Sequence, residues 1–342
     1  MSAEKIFFLL LLTTAFFGCE KEPVRKNDPL GDTSGTGIFV CNEGNFQSGN
    51  ASVTYVNYEK QIAVEDLYRS SNNSPVGDVL QSLIIFNGKA YLVVNNSGKL
   101  ICADPGTLQK ISELSGLRSP RYLLPLSDSK AYLSDLYENA ISVVNLNAMK
   151  VSGKISCNGW TEEMLRYKSR VFVCNKKSNY VFVIDTASDA IVDSLDAGFG
   201  SESICMDQNK HVWVLSAGDQ SKQINATLNC FDAENLGRLF RFNFKNNEVP
   251  MRLRINKSGD QIFFINTDVY SMDVSDSVPA KFITANGRNF YGLAWDPNHD
   301  ELLVSDAGDY IQKGSVFRYD IQAMLKGKFG AGIIPGTFWF KP

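Results

Sequence analysis

Six polar or aromatic residues recur along the chain, each near the start of a short β-like run. They are Gln81, Arg121, Glu162, Glu202, Arg252 and Tyr291. Such side chains can bind a polyfunctional ligand when they converge around a hollow. For any single position, a solvated loop residue with structural hydrogen bonds is an equally good interpretation. The pattern therefore favours a binding surface as a whole over any one contact.

Residue types that commonly carry catalysis are scarce in this sequence. Histidine occurs twice, and both His211, at the start of a strand, and His299, in a turn, are interpreted as structural. Neither an H-E-x-x-H motif nor a P-loop is present. Glu162 and Glu163 are adjacent carboxylates, but neighbouring strand residues point to opposite faces, so only one is expected to reach a central channel. A non-catalytic binding protein without a cofactor is the preferred interpretation.

An internal repeat positions these residues. Seven β-rich runs begin at Gly37, Lys89, Lys130, Arg170, His211, Gln261 and Glu301. A second run follows each of them and ends at Asn57, Asp104, Asn145, Asp185, Asp232, Asp273 and Asp320. Four strands per repeat of roughly 40 to 50 residues, separated by turn residues, are typical of a propeller blade. The sequence therefore predicts an all-β, seven-bladed propeller with four-stranded antiparallel blades.

The two ends of the repeat predict how the ring closes. The first unit begins with its second strand near Gly37, and no β-like run precedes it. The segment Thr337-Phe338-Trp339-Phe340 follows the seventh unit and has no blade of its own. We expect this C-terminal strand to pair with the first blade, which would remove both exposed sheet edges.

The expected ligand site lies on one face of the ring. Loops that join second to third strands share a face with the segments that lead into the innermost strands, and we call this face the mouth. Three of these loops are long, at residues 42–51, 216–227 and 305–315. Besides the six residues above, the predicted ligand-binding residues are Asn42, Glu43, Asn45, Phe46, Tyr122, Asp135, Asn175, Asp219, Asp309 and Tyr310. No metal ligand is predicted among them.

The N-terminus has the pattern of a targeting segment. Lys5 precedes an apolar run over residues 6–17, which is too short for a transmembrane helix but matches a signal peptide. The ending Phe16-Phe17-Gly18-Cys19 resembles the lipobox of bacterial lipoproteins, with Phe16 where leucine is usual. The resemblance implies a signal peptide over residues 1–18, a lipidated Cys19, a flexible tether over 19–36 and the propeller over 37–342. An ordinary secretory signal with an incidental Cys19 is the alternative.

The charge balance of the sequence limits the classes of partner to be expected, and the positions of the cysteines indicate their role. Lys plus Arg number 34 and Asp plus Glu 37, a net charge of −3, which argues against nucleic acid as a partner. Apart from Cys19, six cysteines lie in apolar β-like runs and none forms a C-x-x-C pair. We expect them to pack in the core as free thiols.

The segments Val171-Phe172-Val173-Cys174-Asn175 and Asn179-Tyr180-Val181-Phe182-Val183-Ile184-Asp185-Thr186 resemble the YVTN/YncE-type repeat of surface-layer propellers. That resemblance implies a seven-bladed fold and an extracytoplasmic location. The lipoprotein start, the loop Asn42-Glu43-Gly44-Asn45-Phe46 and the segment Pro120-Arg121-Tyr122 also resemble lipid-anchored propellers of Bacteroidetes. Those proteins capture corrinoids such as cobalamin at the cell surface and pass them to TonB-dependent outer-membrane transporters. A Ca²⁺-dependent, lactonase-like enzyme and a protein-binding or adhesive surface module are the alternatives.

Overall fold

The computed structural model of the protein describes Thr33 and residues 35–341. Its strands form seven four-stranded antiparallel sheets, which confirms the predicted propeller. Cys19, the predicted signal peptide and most of the predicted tether lie outside the described residues. Thr33, near the end of that tether, is buried, and its carbonyl oxygen accepts hydrogen bonds from Tyr55 and Lys341. The predicted tether therefore contacts the propeller at this point.

Blades are numbered here in chain order, with the innermost strand given first. Blade 1 comprises β28 (Pro335–Lys341), β1 (Gly37–Asn42), β2 (Ser52–Asn57) and β3 (Ile62–Val64). Blade 2 comprises β4 (Leu80–Phe86), β5 (Lys89–Val94), β6 (Lys99–Ala103) and β7 (Lys110–Ser115). Blade 3 comprises β8 (Pro120–Pro125), β9 (Lys130–Asp135), β10 (Ala140–Asn145) and β11 (Lys150–Ser156). Blade 4 comprises β12 (Thr161–Tyr167), β13 (Arg170–Asn175), β14 (Tyr180–Asp185) and β15 (Ala190–Asp196).

The remaining three blades repeat this order. Blade 5 comprises β16 (Ser201–Met206), β17 (His211–Ser216), β18 (Thr227–Asp232) and β19 (Arg238–Asn243). Blade 6 comprises β20 (Met251–Ile255), β21 (Gln261–Asn266), β22 (Asp268–Asp273) and β23 (Ala280–Ile283). Blade 7 comprises β24 (Phe290–Asp296), β25 (Glu301–Asp306), β26 (Lys313–Tyr319) and β27 (Leu325–Ile333). A short helix, α1 (Leu67–Asn72), joins blades 1 and 2, and a 3₁₀ turn (Gln220–Lys222) lies in blade 5. Within the described part of the chain, no helix has the length and apolar character of a membrane span.

Hydrophobic packing between neighbouring blades holds the ring together. Seven buried clusters each combine side chains of two adjacent blades. In β1, Phe39 and Cys41 pack towards blade 2, whereas Ile38 and Val40 pack towards blade 7. Both faces of a blade are therefore buried, which explains why the second strands read as continuous apolar runs in the sequence.

The C-terminal strand closes the ring as predicted. β28 is antiparallel to β1, with Phe39 opposite Trp339 and Val40 opposite Phe338. Trp339 packs against the cluster between blades 1 and 2, and Phe338 against the cluster between blades 7 and 1. The last strand of the chain thus joins both interfaces of the first blade.

The cysteines have the role that the sequence predicted. Cys41, Cys102, Cys157, Cys174, Cys205 and Cys230 are all free and buried. Burial raises the pKa of the Cys41 thiol to about 12 and that of Cys157 to about 11. At neutral pH these thiols are protonated and act as small apolar side chains.

Candidate functional site

Every innermost strand is irregular at its mouth end. The register of each innermost strand against its neighbour shifts there, so that the inner strand carries one more residue than its partner. Such a β-bulge bends the strand and changes the direction of its side chains. The residues within these shifts are Gly336, Gln81, Arg121, Tyr122, Glu162, Glu163, Glu202, Arg252, Leu253, Tyr291 and Gly292. All six residues that recur in the sequence are thus bulge residues.

The bulge side chains meet on the axis of the ring. Arg252 Nη1 in blade 6 lies 3.3 Å from the Tyr122 hydroxyl in blade 3, a contact between blades that are not neighbours. Gln81 Nε2 donates to the same hydroxyl at 3.1 Å. Burial raises the pKa of Tyr122 to about 12, so this phenol keeps its proton at neutral pH. We call the connected set the floor of the mouth: Glu43, Gln81, Arg121, Tyr122, Glu162, Glu202, Arg252 and Tyr291.

A two-pronged ion pair fixes one side of the floor. Arg121 Nε and Nη2 donate to the two carboxylate oxygens of Glu162 at 3.1 and 3.0 Å. The pair is largely buried, with side-chain exposures of 17% for Arg121 and 4% for Glu162. Arg121 also donates to Gln81, and the Trp160 indole donates to Glu162. Arg121 thus links side chains from blades 2, 3 and 4.

The expectation that only one of Glu162 and Glu163 reaches the central channel is wrong. Glu162 belongs to the floor and Glu163 lines a cavity on the axis, because the bulge in β12 interrupts the strand alternation that would have separated them. Glu163 pairs with Arg254 of blade 6, with Oε1 2.8 Å from Nη2 and Oε2 3.2 Å from Nη1. Both residues line a cavity of about 250 Å³ on the axis, together with Ser82, Tyr122, Leu293 and Phe338. Each glutamate pairs with its own arginine, whereas a general acid and a general base must be free to exchange protons with a substrate.

Glu43 completes the opposite side of the floor from a loop. The Tyr291 hydroxyl lies 3.0 Å from each of the Glu43 carboxylate oxygens, and Arg252 Nη2 lies 3.6 Å from Oε1. Burial raises the pKa of the Glu43 carboxyl above its ordinary value, and Arg252, Arg121 and the Tyr291 hydrogen bond offset only part of that effect. Glu43 therefore takes up a proton more readily than an exposed glutamate does.

Arg252 has an unusual backbone conformation. Its backbone φ is 62°, in the left-handed region that residues other than glycine rarely adopt. Glu202 Oε1 accepts the Arg252 backbone N–H at 3.2 Å, and the Tyr291 carbonyl accepts from Arg252 Nε at 3.3 Å. Glu202 is itself paired with Lys176 at 2.8 Å. Strain of this kind persists where the surroundings fix the residue, and it is concentrated at functional sites.

Two loops meet above Tyr291 at the mouth. Asn45 Nδ2 in the loop of blade 1 donates to the Tyr310 carbonyl in the loop of blade 7 at 2.6 Å. The Tyr310 ring contacts the Tyr291 ring edge-on, with 5.8 Å between centroids. Phe46 is 66% exposed beside Asn45 in the sequence. The structure thus brings Asn45 and Tyr310 next to the floor, whereas Phe46 lies on the exposed rim.

Five other predicted ligand-binding residues use their side chains within the fold. Asn42 donates to Thr54 and Ser52 and accepts from the Gly332 N–H, while Asp135 accepts N–H groups of Ser119, Tyr137 and Glu138. Asn175 donates to the Asn158 carbonyl and accepts from the Lys177 N–H. Asp219 and Asp309 accept backbone N–H groups of their own loops. Through these bonds the five side chains cap turns and strand ends.

A group of three possible metal ligands is present among the described residues, at the opposite end of blade 5 from the mouth. Ligand atoms of Asp207, His211 and Cys230 lie within 4.8 Å of one another. Asp207 already accepts hydrogen bonds from the His211 backbone and the Trp213 indole, and His211 Nδ1 lies 3.1 Å from its Oδ2. Asp296 and His299 in blade 7 form a similar pair at 2.7 Å. The repeated Asp–His contact is the structural role expected for both histidines.

Four contributors to the site were missed in the sequence. Arg254, Lys176 and Trp160 give no signal of their own, since each looks like an ordinary strand or loop residue. Gly336 did give one, because an isolated glycine within an aromatic strand suggests a bulge or a close approach. For Glu162 and Glu163, strand alternation predicted that only one would reach the channel, whereas both do.

Several solved structures share this fold. A quinoprotein alcohol dehydrogenase-like protein from Bacteroides thetaiotaomicron matches with a TM-score of 0.69 and 17% identity, over 90% of this chain and 79% of that one. The periplasmic gluconolactonase of Pseudomonas aeruginosa matches with a TM-score of 0.68 and 13% identity, over 90% and 99%. Hydrazine synthase of Kuenenia stuttgartiensis matches with a TM-score of 0.61 and 14% identity, over 73% and 85%. At these identities the likeness shows the fold alone.

Sequence comparison gives the family. No curated protein matches the chain. A family model described as "Domain of unknown function (DUF5074)" matches residues 36–329, which include at least part of every blade. The chain belongs to this family of domains of unknown function, DUF5074.

Proposed function

We propose that this propeller binds a small molecule across its mouth and does not transform it. The proposal is supported by the contrast between the floor and the exposed loops around it, which we call the rim. The carboxylates on the axis, those of Glu43, Glu162, Glu163 and Glu202, each contact a cationic side chain. Around them the mouth loops expose apolar side chains, namely Phe46 (66% exposed), Tyr137 (61%), Tyr310 (39%) and Ile311 (70%).

A corrinoid is the ligand that we would test first. Its amide side chains can both donate and accept hydrogen bonds, which suits a floor of mixed charge better than a surface of one sign. Its broad apolar faces can be covered by aromatic side chains such as Phe46 and Tyr310. The exposed side chains come from loops of blades 1, 3 and 7, so a broad ligand could contact more than one of these loops.

The cellular setting belongs to the same proposal. Lipidation of Cys19 would hold the propeller on the surface of the outer membrane, where it could capture a corrinoid and pass it to a TonB-dependent transporter. The support for this is the apolar run at residues 6–17, which ends at Gly18-Cys19.

Two other functions remain as outcomes of the test. A lactonase-like enzyme is suggested by the shared fold only, and the paired glutamates on the axis do not favour a general acid or base. An adhesive module would use the same exposed rim to contact a protein.

The experiment mixes the purified protein with cyanocobalamin and follows co-elution of the red colour on gel filtration and the heat of binding. Retention at a ratio of one ligand per chain is expected. Ca²⁺-dependent hydrolysis of gluconolactone, with no retention of cobalamin, would contradict the proposal in favour of the enzyme. Absence of both activities would contradict corrinoid capture and leave the adhesive module.

A further inference from the structure

Blade 1 contributes no side chain of its own bulge to the floor. The residue at its bulge is Gly336, whereas the bulges of blades 2 to 7 carry the polar and aromatic side chains described above. A Cβ built on Gly336 would lie 2.6 Å from Glu43 Oε1, and the three nearest atoms to it all belong to the Glu43 side chain. Glu43 therefore fills a space that blade 1 leaves open.

The groups around this space are arranged to hold an anion with two oxygen atoms. The Tyr291 hydroxyl lies 3.0 Å from both Glu43 oxygens, and Arg252 Nη2 lies 3.6 Å from one of them. Tyr291 and Arg252 belong to innermost strands, and Arg252 is held in its strained conformation by other partners. We call Gly336, Arg252 and Tyr291 the cradle.

The attachment of Glu43 differs from that of the cradle. It lies one residue beyond β1, at the base of the long mouth loop, and its backbone N–H donates to the Ile334 carbonyl at 2.9 Å. Its carboxylate reaches the cradle on a flexible side chain. Rotation of that side chain would free the cradle without breaking any strand pairing.

We propose that the cradle is an anion subsite of the mouth, filled by Glu43 until a ligand supplies a singly charged group with two oxygens, a carboxylate or a phosphodiester. This inference rests on the proposed function, since the anion is part of the ligand that covers the mouth. When the anionic group of the ligand replaces the Glu43 carboxylate in the cradle, one negative charge takes the place of another, so the charge within the cradle is unchanged. The displaced carboxylate of Glu43 moves towards the loops.

The test removes the resident carboxylate and supplies a free one. Glu43→Ala should bind acetate or dimethyl phosphate at least about tenfold more tightly than the wild-type protein, measured by calorimetry at constant ionic strength. Acetate alone would identify a carboxylate subsite, and dimethyl phosphate alone a phosphodiester subsite. The matched control is Glu43→Ala with Gly336→Ala, in which Arg252 and Tyr291 remain but a methyl group fills the cradle. This double variant should lose the gain.

Other outcomes would overturn the proposal. Equal affinities in wild-type protein and Glu43→Ala would do so, as would a gain that persists in the double variant. If Glu43→Ala does not fold, Glu43→Ser opens the same space, and its melting temperature must rise with acetate more than that of the wild-type protein. Retention of cobalamin by the wild-type protein without anion binding by the variants would overturn the subsite alone. Anion binding without retention of cobalamin would overturn only corrinoid capture.

Discussion

The Glu43 carboxylate lies in the space where a side chain at Gly336 would be, with only 2.6 Å between Oε1 and the position of a Cβ on residue 336. These two residues lie at opposite ends of the propeller sequence and meet because β28 pairs with β1. Closure of the ring and completion of the mouth therefore depend on the same strand pairing. A loop side chain replaces an inner-strand side chain in blade 1.

The pH dependence of stability should report on Glu43. Burial raises its pKa in the folded protein above the ordinary value of 4.5, so between these two values the folded state binds more protons than the unfolded state. The free energy of unfolding contributed by Glu43 thus falls as pH rises through that window and is constant above it. Glu43→Gln removes this dependence. Between pH 4 and 8, the melting temperature of Glu43→Gln should rise relative to that of the wild-type protein as pH rises. Parallel curves would contradict the prediction.

Removing one partner of the Arg121–Glu162 ion pair should lower the stability of the protein, whereas removing both charges together should lower it much less. Arg121→Met leaves the buried Glu162 carboxylate without its cation, which we expect to cost about 3–5 kcal/mol in urea unfolding. Adding Glu162→Gln removes the charge while keeping an acceptor for Trp160, and should restore most of the loss. Arg69→Met, which breaks a more exposed pair with Asp66, is the control and should cost less than about 1 kcal/mol. Similar losses of unfolding free energy in Arg121→Met and Arg69→Met would contradict this prediction.

The sequence predicted the blades well because their determinants are local. Each second strand begins where its apolar run begins, from Gly37 to Glu301, since a strand buried on both faces needs apolar residues at every position. The polar and aromatic residues of the inner strands were also recognisable, because one recurs in each of blades 2 to 7.

The details of the site were harder to predict, for physical reasons. A bulge changes the direction of side chains without changing any residue type, so strand alternation wrongly predicted that only one of Glu162 and Glu163 reaches the channel. An asparagine that caps a strand end, such as Asn175, has the same sequence signature as one that binds a ligand. The contact of Glu43 with Gly336 depends on ring closure, which no local pattern encodes.

Removal of residues 336–342 tests ring closure. Blade 1 would lose the strand opposite β1, and Phe338 and Trp339 would no longer pack at its two interfaces. Burial of a large side chain is worth roughly 1.5–3 kcal/mol when complete, so even partial burial of these two makes a substantial loss. We expect a large fall in the melting temperature or loss of the cooperative transition in calorimetry. An unchanged melting temperature would contradict the pairing.

The lipid anchor is tested by fractionation. Cys19→Ala should move the protein from the membrane fraction to the soluble fraction, because it removes the sulfur to which the anchoring acyl chain would be attached. The circular dichroism spectrum should stay that of the wild-type protein, as Cys19 precedes the first strand at Gly37. Full retention in the membrane fraction would contradict lipidation at Cys19.

Titration of cyanocobalamin into matched surface variants tests the proposed mouth site most directly. Phe46 on the mouth loop is 66% exposed and Ile111 on the outer strand β7 is 60% exposed, so neither change to alanine should disturb the core. We expect Phe46→Ala to weaken binding by about tenfold, or 1.4 kcal/mol, because the aromatic ring covers an apolar face of the ligand. Ile111→Ala should bind as the wild-type protein does. Unchanged affinity in Phe46→Ala, or an equal loss in Ile111→Ala, would contradict binding at the mouth.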